Sequence, residues 1–532
     1  MTQPSHGIAV APHHLAADTA RDIMSEGGNA IEAMIGAAAT IAVVYPHMNA
    51  LGGDGFWLIA EPGAAPQGID ACGAAAALAS RPWYADRDIR EKLPTRGPLA
   101  ALTVAGTVSG WQLALESAAR AGGRLPLSRL LRDAEHHARN GVPVSRSLAR
   151  GLRVKHGEVI DQPGFALHFM PDARVPEAGD MLLQPNLADT LSQLACAGLD
   201  DFYRGELARR MARAMESAGS PLRLPDLEAH HARRVTPLML EHSLGRVYNM
   251  PPPTQGLLSL LILGQLDRIG VAGLDDRSPD YIHRVVEATR QAFLVRDRHL
   301  TDPSRMRVEA QSFLRPEVLD SLAANINPDR VGSGVATQPG DTVWMGVVDG
   351  EGRAVSFIQS IYHEFGSGVI AGDSGVLWQN RGISFSLQAG ALNELKPGRL
   401  PFHTLNPPMA QLTDGRTVVY GSMGGDGQPQ FQAQVFTRHL LMGQTVEAAV
   451  SAPRWLLGRT WGSASDTLKL ESRFPREVFD ALAARGHAVE ALADFDESAG
   501  HAGLIVRHPD GRLEGAADPR SDGGVSHVPG KV

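Results

Sequence analysis

Apolar residues recur at helical spacing through much of the N-terminal part of the chain. Between residues 31 and 42 they fall at positions i, i+3, i+4 and i+7. Asn29 precedes this run as a suitable helix cap, and Pro46 follows it as a stop. The same reasoning predicts a strand at residues 56–60 and further helices at residues 14–26, 109–119, 127–140, 187–196, 206–217, 256–266 and 280–298.

The pattern changes after residue 328. Residues 328–341 are polar and rich in Gly and Pro, which is typical of an exposed loop. Strand-like runs at 342–348 and 353–361 flank a short turn and predict a β-hairpin. The first run carries apolar residues or glycine on both faces, which indicates a sheet covered on both sides. Further strands are predicted at 369–371, 417–421, 467–470 and 504–507, with helices at 428–441, 446–452 and 476–485.

Composition places the chain among ordinary globular proteins with a large core. It has 532 residues, of which 43% are hydrophobic and 20% charged, and its net charge is −8. This mild acidity, without a dense run of Lys or Arg, argues against nucleic-acid and anionic-membrane partners. The N terminus lacks the pattern of a signal peptide, and the apolar run at 30–44 is too short to span a bilayer. A cytoplasmic protein is expected.

Cysteine and histidine give no sign of a metal or redox centre. Cys72 and Cys196 are the only cysteines, so we expect two buried thiols in a reducing compartment and no disulfide framework. The adjacent histidine pairs lack the spacing of metal ligands. No metal and no organic cofactor is expected.

One threonine has the setting that an N-terminal nucleophile requires. Neither a Gly-x-Ser-x-Gly elbow nor a P-loop occurs in the chain. Thr342 follows the exposed loop and begins the buried hairpin, so the bond between Asp341 and Thr342 would be accessible while the strand stays rigid. Once freed, an α-amine with a pKa near ~8 can take the proton of the threonine hydroxyl. On the pattern alone, an ordinary β-forming threonine remains the alternative.

Several stretches in a fixed order carry a resemblance to a known family. From about residue 15 to residue 521 the chain resembles the γ-glutamyltranspeptidase family, in RDIMSEGGNA (21–30), PHMNALGGDGF (46–56), MPPP (250–253), FGSG (365–368), GSMGG (421–425) and ADPR (517–520). The resemblance implies an α+β fold of four layers, an αββα sandwich typical of N-terminal-nucleophile hydrolases. It also implies self-cleavage into a mostly helical large chain, 1–341, and a β-rich small chain, 342–532, that remain intertwined.

The resemblance also implies roles for the reacting groups. Thr342 matches the residue that becomes the new N terminus and the nucleophile. Ser360 stands on the partner strand of the hairpin, where the family has a threonine that supports the nucleophile, and a serine can make the same hydrogen bond. Gly424 and Gly425 match the glycine pair whose backbone N–H groups form the oxyanion hole, where the lack of a side chain permits close approach.

The substrate pocket departs from that of the transpeptidases. Arg81 resembles the family arginine that holds the substrate carboxylate with its bidentate fork. However, Ser384 stands where the family has the aspartate that pairs with the substrate ammonium, and Arg381 replaces a glutamine or similar residue. An unpaired ammonium in a closed pocket costs several kcal/mol. We therefore expect an anionic acyl group without an α-ammonium.

Other replacements favour a small acyl group. Tyr362 takes the place of an asparagine and is bulky enough to shorten the pocket, while His403 and Thr404 replace two serines that help to hold the carboxylate. The stretches QSIYHEFGSG (359–368) and FHTLNP (402–407) look like those of the branch that hydrolyses oxamate to oxalate and ammonia in purine degradation. A small anionic amide is therefore the expected substrate.

Three alternatives stay open at this point. An acylase for larger anionic acyl groups, of the glutaryl-cephalosporin kind, would use the same nucleophile. Activity as a γ-glutamyl hydrolase or transferase would contradict the interpretation that Ser384 leaves a substrate ammonium without a partner. A binding scaffold that never cuts itself would leave the 532-residue chain whole. The large and small chains should associate, and the sequence leaves open whether two such pairs form a dimer.

Overall fold

The computed structural model describes residues 6–170, 172–332, 341–458 and 465–530. The predicted loop at 328–341 therefore lies largely outside the described residues. Within them the helices are α1 His14–Ser25, α2 Ala30–Val44, α3 Arg81–Ala85, α4 Thr107–Arg120, α5 Leu127–Asn140, α6 Arg146–Val159, α7 Phe165–Phe169, α8 Pro185–Ala197, α9 Asp201–Arg204, α10 Glu206–Ala218, α11 Leu224–Glu228, α12 Gly256–Ile269, α13 Pro279–His299, α14 Pro316–Ala324, α15 Gln428–Phe436, α16 Val446–Ser451 and α17 Arg476–Ala484.

The strands form two large antiparallel sheets and two small sheets. They are β1 Gly7–Ala11, β2 Asp54–Ala60, β3 Gln67–Ala71, β4 Val142–Pro143, β5 Met181–Leu182, β6 Arg233–Val235, β7 Leu238–His242, β8 Gly245–Asn249, β9 Asp341–Asp349, β10 Ala354–Tyr362, β11 Met409–Leu412, β12 Thr417–Ser422, β13 Trp455–Leu457, β14 Leu468–Glu471, β15 Val489–Leu492, β16 Ala502–Arg507, β17 Leu513–Ala517 and β18 Gly524–Val528. One sheet has the order β18-β1-β9-β10-β2-β3-β6, and the other β17-β16-β12-β11-β8-β7.

The two sheets lie face to face between layers of helices. The core between the sheets contains Trp344 and Ile358 from one sheet and Val419 and Ile505 from the other. On the outer face of the first sheet, apolar residues of α1, α2, α4, α5, α8 and α10 form one large core with β9 and β10. Helices α12, α13, α15 and α16 cover the outer face of the second sheet. This is the predicted αββα sandwich.

Both sheets mix strands from the two sides of the bond between residues 341 and 342. In the first sheet β9 and β10 lie between β1 and β2, and in the second β11 lies between β8 and β12. Both faces of β9 and β10 carry apolar residues because both are covered, one by helices and the other by the second sheet, as the sequence pattern predicted. Thr342 therefore lies on a hairpin at the centre of a sheet.

Local sequence signals explain the most buried helix. Asn29 caps α2 by accepting from the N–H groups of Ile31 and Glu32, and the Glu32 side chain accepts from the Asn29 N–H, which forms a capping box. Every residue of α2 is buried. Glu32 tolerates burial because its second oxygen accepts from the Leu125 N–H at 2.8 Å.

Two predictions from the sequence were wrong. Residues 369–371 form no strand. Ile370 makes only an isolated bridge to Leu377, because left-handed turns at Gly368 and Gly372 limit the extended segment to three residues. Cys196 is exposed near the end of α8, whereas Cys72 is buried as expected. Among the described residues, no helix is both long and apolar enough to cross a membrane.

Candidate active site

Thr342 lies in a β-bulge at the start of β9. Val343 pairs with Gln359 and Asp341 with Tyr362, so Thr342 alone stands opposite two residues of β10. The extra residue lies in β10, so β10 bends here and Thr342 has no single register partner. The Thr342 side chain is only 1% exposed, and its Oγ1 accepts a hydrogen bond from Gln428 Nε2 at 3.1 Å. The bulge thus separates Thr342 from the regular ladder and presents its hydroxyl to α15.

The opposite strand of the bulge is held by Ser360. Its Oγ accepts from the Tyr362 N–H at 2.8 Å. Tyr362 has φ 80°, a conformation that side chains other than glycine rarely adopt, so this hydrogen bond stabilises a strained turn.

Gly424 and Gly425 form a tight turn between β12 and α15. Both have positive φ, 120° and 53°. A Cβ on Gly424 would lie 2.7 Å from the ring of Phe431, so a side chain is excluded there by space as well as by conformation. Among the described residues, neither backbone N–H has an acceptor. The Gly425 carbonyl accepts from Gln255 Nε2 at 2.7 Å, and the same amide group donates to the Thr404 carbonyl at 2.8 Å.

A buried guanidinium lies beside this turn. Arg381 is 1% exposed, its Nη1 donates to Thr404 Oγ1 at 3.2 Å, and its Cζ lies 3.4 Å from the centroid of the Tyr362 ring. Its Nε and Nη2 are buried without an acceptor among the described residues. Burial lowers the pKa of Arg381 from its usual value, and neighbouring Tyr362 and Cys72 oppose that shift. A buried cation with two unused donors can bind an anion strongly.

His403 and Asp54 form a hydrogen-bonded pair next to this arginine. Burial, and then the charge of Arg381, hold the pKa of His403 well below its usual range. Burial raises the pKa of Asp54 to about 7. His403 is therefore neutral at pH 7, and when Asp54 is ionised His403 donates from Nε2 to Asp54 Oδ2 at 2.9 Å, which leaves Nδ1 as an acceptor. The other carboxylate oxygen, Oδ1, accepts from the N–H groups of Gly73 and Gly106 and from Gln379.

The same cluster has the composition of a metal site but not its chemistry. Ligand atoms of Asp54, Cys72 and His403 lie within 4.8 Å of one another. However, both oxygens of Asp54 are engaged by donors, and burial raises the pKa of Cys72 well above its usual value. A protonated thiol is a poor metal ligand. The hydrogen bonds of this cluster fit a structural and electrostatic role.

The structure brings most of the predicted site residues together, but Arg81 is engaged elsewhere. Arg81 begins the short helix α3, and its side chain is 41% exposed. Its Nη1 pairs with Glu394 at 3.3 Å, and its Nε donates to the Leu387 carbonyl at 2.7 Å. None of its described contacts involves Thr342 or Arg381. Ser384 ends the 3-10 turn Arg381–Ser384, with its Oγ buried and without a partner among the described residues.

Sequence reasoning did not identify Asp54, Gln255 or Gln428 as parts of the site. Asp54 stands in the stretch 46–56 that carries the family resemblance, so a signal for it existed. Gln255 and Gln428 reach the site across long sequence separations, Gln428 from 86 residues away. No local pattern marks such contacts.

Comparisons with known proteins agree with this geometry. A profile described as Gamma-glutamyltranspeptidase matches residues 16–528. The chain is 56% identical over 524 residues to the oxamate amidohydrolase proenzyme of Klebsiella pneumoniae subsp. pneumoniae, covering 98% of each protein. It is 37% identical over 517 residues to a glutathione hydrolase-like proenzyme of Bacillus subtilis, covering 97% of each.

Solved structures give the same result. Cephalosporin acylase from Bacillus halodurans superposes with a TM-score of 0.89 at 31% identity, over 99% of this chain and 96% of that one. A γ-glutamyltranspeptidase chain from Helicobacter pylori matches 62% of this chain and 95% of its own length, with a TM-score of 0.58 at 26% identity. The chain therefore belongs to the γ-glutamyltranspeptidase family, and it is an amide-hydrolysing enzyme of that family with an N-terminal-nucleophile fold.

Proposed function

We propose that the chain cuts itself before Thr342 and then hydrolyses oxamate to oxalate and ammonia through an acyl-Thr342 intermediate. The cut would divide the 532 residues into a large chain, 1–341, and a small chain, 342–532. The full-length similarity to an oxamate amidohydrolase proenzyme supports this substrate. The chemistry of the site supports it independently.

The observation that carries the proposal is the buried guanidinium of Arg381. Two of its nitrogens, Nε and Nη2, have no acceptor among the described residues, and leaving such donors unpaired is costly. A substrate carboxylate would satisfy both. Thr404 and the Tyr362 ring fix the orientation of the guanidinium. His403 Nδ1, an acceptor without a donor among the described residues, suits the N–H of a substrate amide.

A substrate ammonium would find no comparable partner here. The carboxylates whose charge reaches Arg381 are Asp54 and Asp426. Asp54 already accepts from four donors, and Asp426 Oδ2 pairs with Arg296 at 2.8 Å. An ammonium would also lie in the field of Arg381. The pocket therefore favours an acyl group with a carboxylate and no amine.

The close packing of buried side chains around Arg381 favours a short acyl group. Tyr362 stacks on Arg381 at 3.4 Å, and both side chains are almost fully buried. His403 and Thr404 are buried beside them. Oxamate, whose carboxylate is bonded directly to its amide carbon, needs the least room of any anionic amide.

Self-cleavage would use the Thr342 hydroxyl against the chain itself. Oγ1 attacks the carbonyl carbon of Asp341, the peptide C–N bond breaks, and the nitrogen takes the proton as the α-amine of Thr342. Water then hydrolyses the resulting ester, which leaves a carboxylate on Asp341 and a free hydroxyl on Thr342. The bulge aids this step because it takes Thr342 out of the regular ladder.

The catalytic cycle repeats the same chemistry on the substrate. Oγ1 attacks the amide carbon of oxamate while the α-amine takes its proton. The N–H groups of Gly424 and Gly425 hold the oxyanion, and the amine returns the proton to the leaving nitrogen, so ammonia departs. Water attacks the acyl ester, the amine again accepts a proton, and oxalate is released. No metal is needed.

Two measurements on purified protein test the proposal. Denaturing gels and mass spectrometry should find chains of 341 and 191 residues in the wild type, and only the whole chain in Thr342→Ala. Ammonia release from oxamate should be fast, and glutamate release from glutathione should be weak. Active enzyme with an intact bond between residues 341 and 342 would overturn the nucleophile, and activity on glutathione alone would overturn the substrate.

Paired arginine variants test the carboxylate site. Arg381→Met removes the proposed partner of the substrate, so kcat/KM for oxamate should fall by about 100-fold or more, since charge-assisted hydrogen bonds are worth about 1.5–3 kcal/mol each. Arg81→Met is the matched control and should lower kcat/KM less than about threefold, because its fork is bound to Glu394. The reverse order would restore Arg81 as the carboxylate ligand.

An acylase for a larger anionic acyl group is the second candidate. The superposition on cephalosporin acylase, with a TM-score of 0.89, favours it specifically. Glutaryl-amide hydrolysis assayed beside oxamate hydrolysis separates the two activities. Turnover of the glutaryl substrate alone would show that Tyr362 does not close the pocket.

A further inference from the structure

Three buried side-chain amides lead in series to the Thr342 hydroxyl. Asn249 Nδ2 donates to Asn406 Oδ1 at 3.3 Å, Asn406 Nδ2 donates to Gln428 Oε1 at 3.0 Å, and Gln428 Nε2 donates to Thr342 Oγ1 at 3.1 Å. All three amide side chains have no solvent exposure. They come from the end of β8, the loop before β11 and the first turn of α15. Three distant segments therefore converge on one hydroxyl.

We propose that Gln428 is a positioning residue that holds Thr342 Oγ1 for attack, and that Asn406 and Asn249 fix the direction in which its amide donates. The inference rests on the proposed function, since it assumes that Thr342 is the nucleophile.

The direction of the series is set by the backbone. The Met250 N–H donates to Asn249 Oδ1 at 2.8 Å, and because a backbone N–H can only donate, the amino group of Asn249 must face Asn406. Asn406 Nδ2 also donates to the Thr404 carbonyl at 2.9 Å, which can only accept. Asn406 therefore presents its amino group to Gln428, and Gln428 presents its own amino group to Thr342.

This direction matters for the reaction. Negative charge grows on Oγ1 as the hydroxyl gives its proton to the α-amine, and a fixed N–H donor stabilises that charge without reorganisation. A donor on Oγ1 also leaves the hydroxyl proton free to point at the amine. An amide turned the other way would present its carbonyl oxygen, compete for that proton and repel the developing charge.

Five variants of the self-cleaved enzyme, one of them a control, test the proposal, with kcat and KM for oxamate referred to the amount of cleaved chain. Gln428→Met removes the donor at similar volume, and its kcat should fall by about 100-fold with KM within about threefold of wild type. Gln428→Glu, which keeps the shape but only accepts, should lose at least as much and carries the test if the first variant does not fold. Gln434→Met is the matched control on the same helix, because Gln434 donates only to the Trp455 carbonyl, and it should keep kcat within about twofold.

The remote end of the series separates positioning from packing. Asn249→Asp has the same shape but cannot donate a hydrogen bond, so the side-chain amides of Asn406 and Gln428 should both flip. We expect kcat to fall by about tenfold, although Asn406 and Gln428 separate Asn249 from Thr342 in the series. Asn249→Ala removes atoms without reversing the direction and should lower kcat less than Asn249→Asp does. A merely structural role predicts that both variants change stability while kcat per cleaved chain stays near that of the wild type.

Each result decides the matter. Loss of kcat in both Gln428 variants, with Asn249→Asp worse than Asn249→Ala, supports the positioning role. Near wild-type kcat in Gln428→Met, or a larger loss in Asn249→Ala than in Asn249→Asp, overturns it. A wild-type chain that never cuts between residues 341 and 342 refutes the proposed function itself, and this inference with it.

Discussion

At the scale of single residues, the site is a set of polar groups made reactive by burial. Arg381, His403 and Asp54 would all be unremarkable at a surface, but here burial shifts the pKa of each toward its neutral form. The strongest consequence falls on Asp54, because its pKa of about 7 lies inside the working range of most enzymes.

Binding of the product should therefore depend on pH through Asp54. Oxalate is a dianion across neutral pH, and Asp54 becomes negative as the pH rises through about 7, which weakens the pull of Arg381. The inhibition constant of oxalate should rise by about fivefold between pH 6 and pH 8, a change of about 1 kcal/mol. The α-amine of Thr342, with a pKa near ~8, adds a second step because it loses its positive charge there.

Asparagine variants identify the group that causes the step near pH 7 in the inhibition by oxalate. Asp54→Asn can keep its contacts if its amide donates to His403 and the imidazole proton moves to Nδ1, and the step near pH 7 should then disappear while the higher step remains. Asp70→Asn is the control, since Asp70 is a buried carboxylate whose partner is Arg233. A step near pH 7 that survives in Asp54→Asn would assign it to another group.

Single residues were predictable from the sequence only where a motif or a local pattern marked them. Gly424 and Gly425 stand in a stretch that resembles the family, and the structure places both in one tight turn, whereas Thr342 was singled out by the loop and hairpin around it. The contact between Arg81 and Glu394 spans 313 residues of sequence, so no local pattern could predict it. The link between Gln428 and Thr342 was hidden for the same reason.

At the scale of elements, length decided which predictions succeeded. The long amphipathic helices were predicted to within a few residues, and α5 at Leu127–Asn140 matches its predicted bounds. Strands of two or three residues such as β4 and β6 were missed, because so short a segment shows no periodicity and is defined by its partners. The hairpin of β9 and β10 was found because each strand has nine residues.

Contact between the two sheets supports the strand that carries the nucleophile. The indole ring of Trp344, two residues beyond Thr342, lies against glycines of the opposite sheet. A Cβ on Gly421 would lie 2.2 Å from Trp344 Cδ1, and one on Gly503 would lie 2.3 Å from Cζ3. The Trp344 indole N–H donates to Ser356 Oγ at 3.0 Å, which fixes the ring. Glycine is therefore required at positions 421 and 503, because a side chain there would overlap the Trp344 ring.

A methyl group at this crossing should disturb both stability and processing. Gly421→Ala forces Trp344 to move, so the free energy of unfolding should fall by about 1–3 kcal/mol in denaturant titrations, and self-cleavage should slow because β9 shifts. Gly157→Ala is the control, because Gly157 is exposed on α6 and an added Cβ would meet no neighbouring atom within 4 Å. Its free energy of unfolding should be unchanged or slightly higher.

Adding Trp344→Phe to Gly421→Ala makes room for the methyl group. A double-mutant cycle should then show that the two losses are not additive. Additive losses would mean that the ring and Gly421 do not interact.

At the scale of the whole molecule, the fold explains why self-cleavage need not release a fragment. In the first sheet β9 is hydrogen-bonded to β1 on one side and β10 to β2 on the other, so the small chain would contribute two central strands whose neighbours on both sides belong to the large chain. In the second sheet β11 of the small chain pairs with β8 of the large one. Neither chain can bury its core alone.

Cleavage should therefore change the order of the unfolding reaction and leave the native fold intact. The whole chain of Thr342→Ala unfolds as one molecule, so its Tm should not depend on protein concentration. The cut enzyme separates into two chains on unfolding, so its Tm should rise with concentration, while a single cooperative transition is kept in each case. Calorimetry over a 100-fold range of concentration, with size-exclusion chromatography of the native sample, measures both. Separation of the 341- and 191-residue chains without denaturant would contradict the shared sheets, because β9 and β10 would then leave the centre of their sheet without unfolding it.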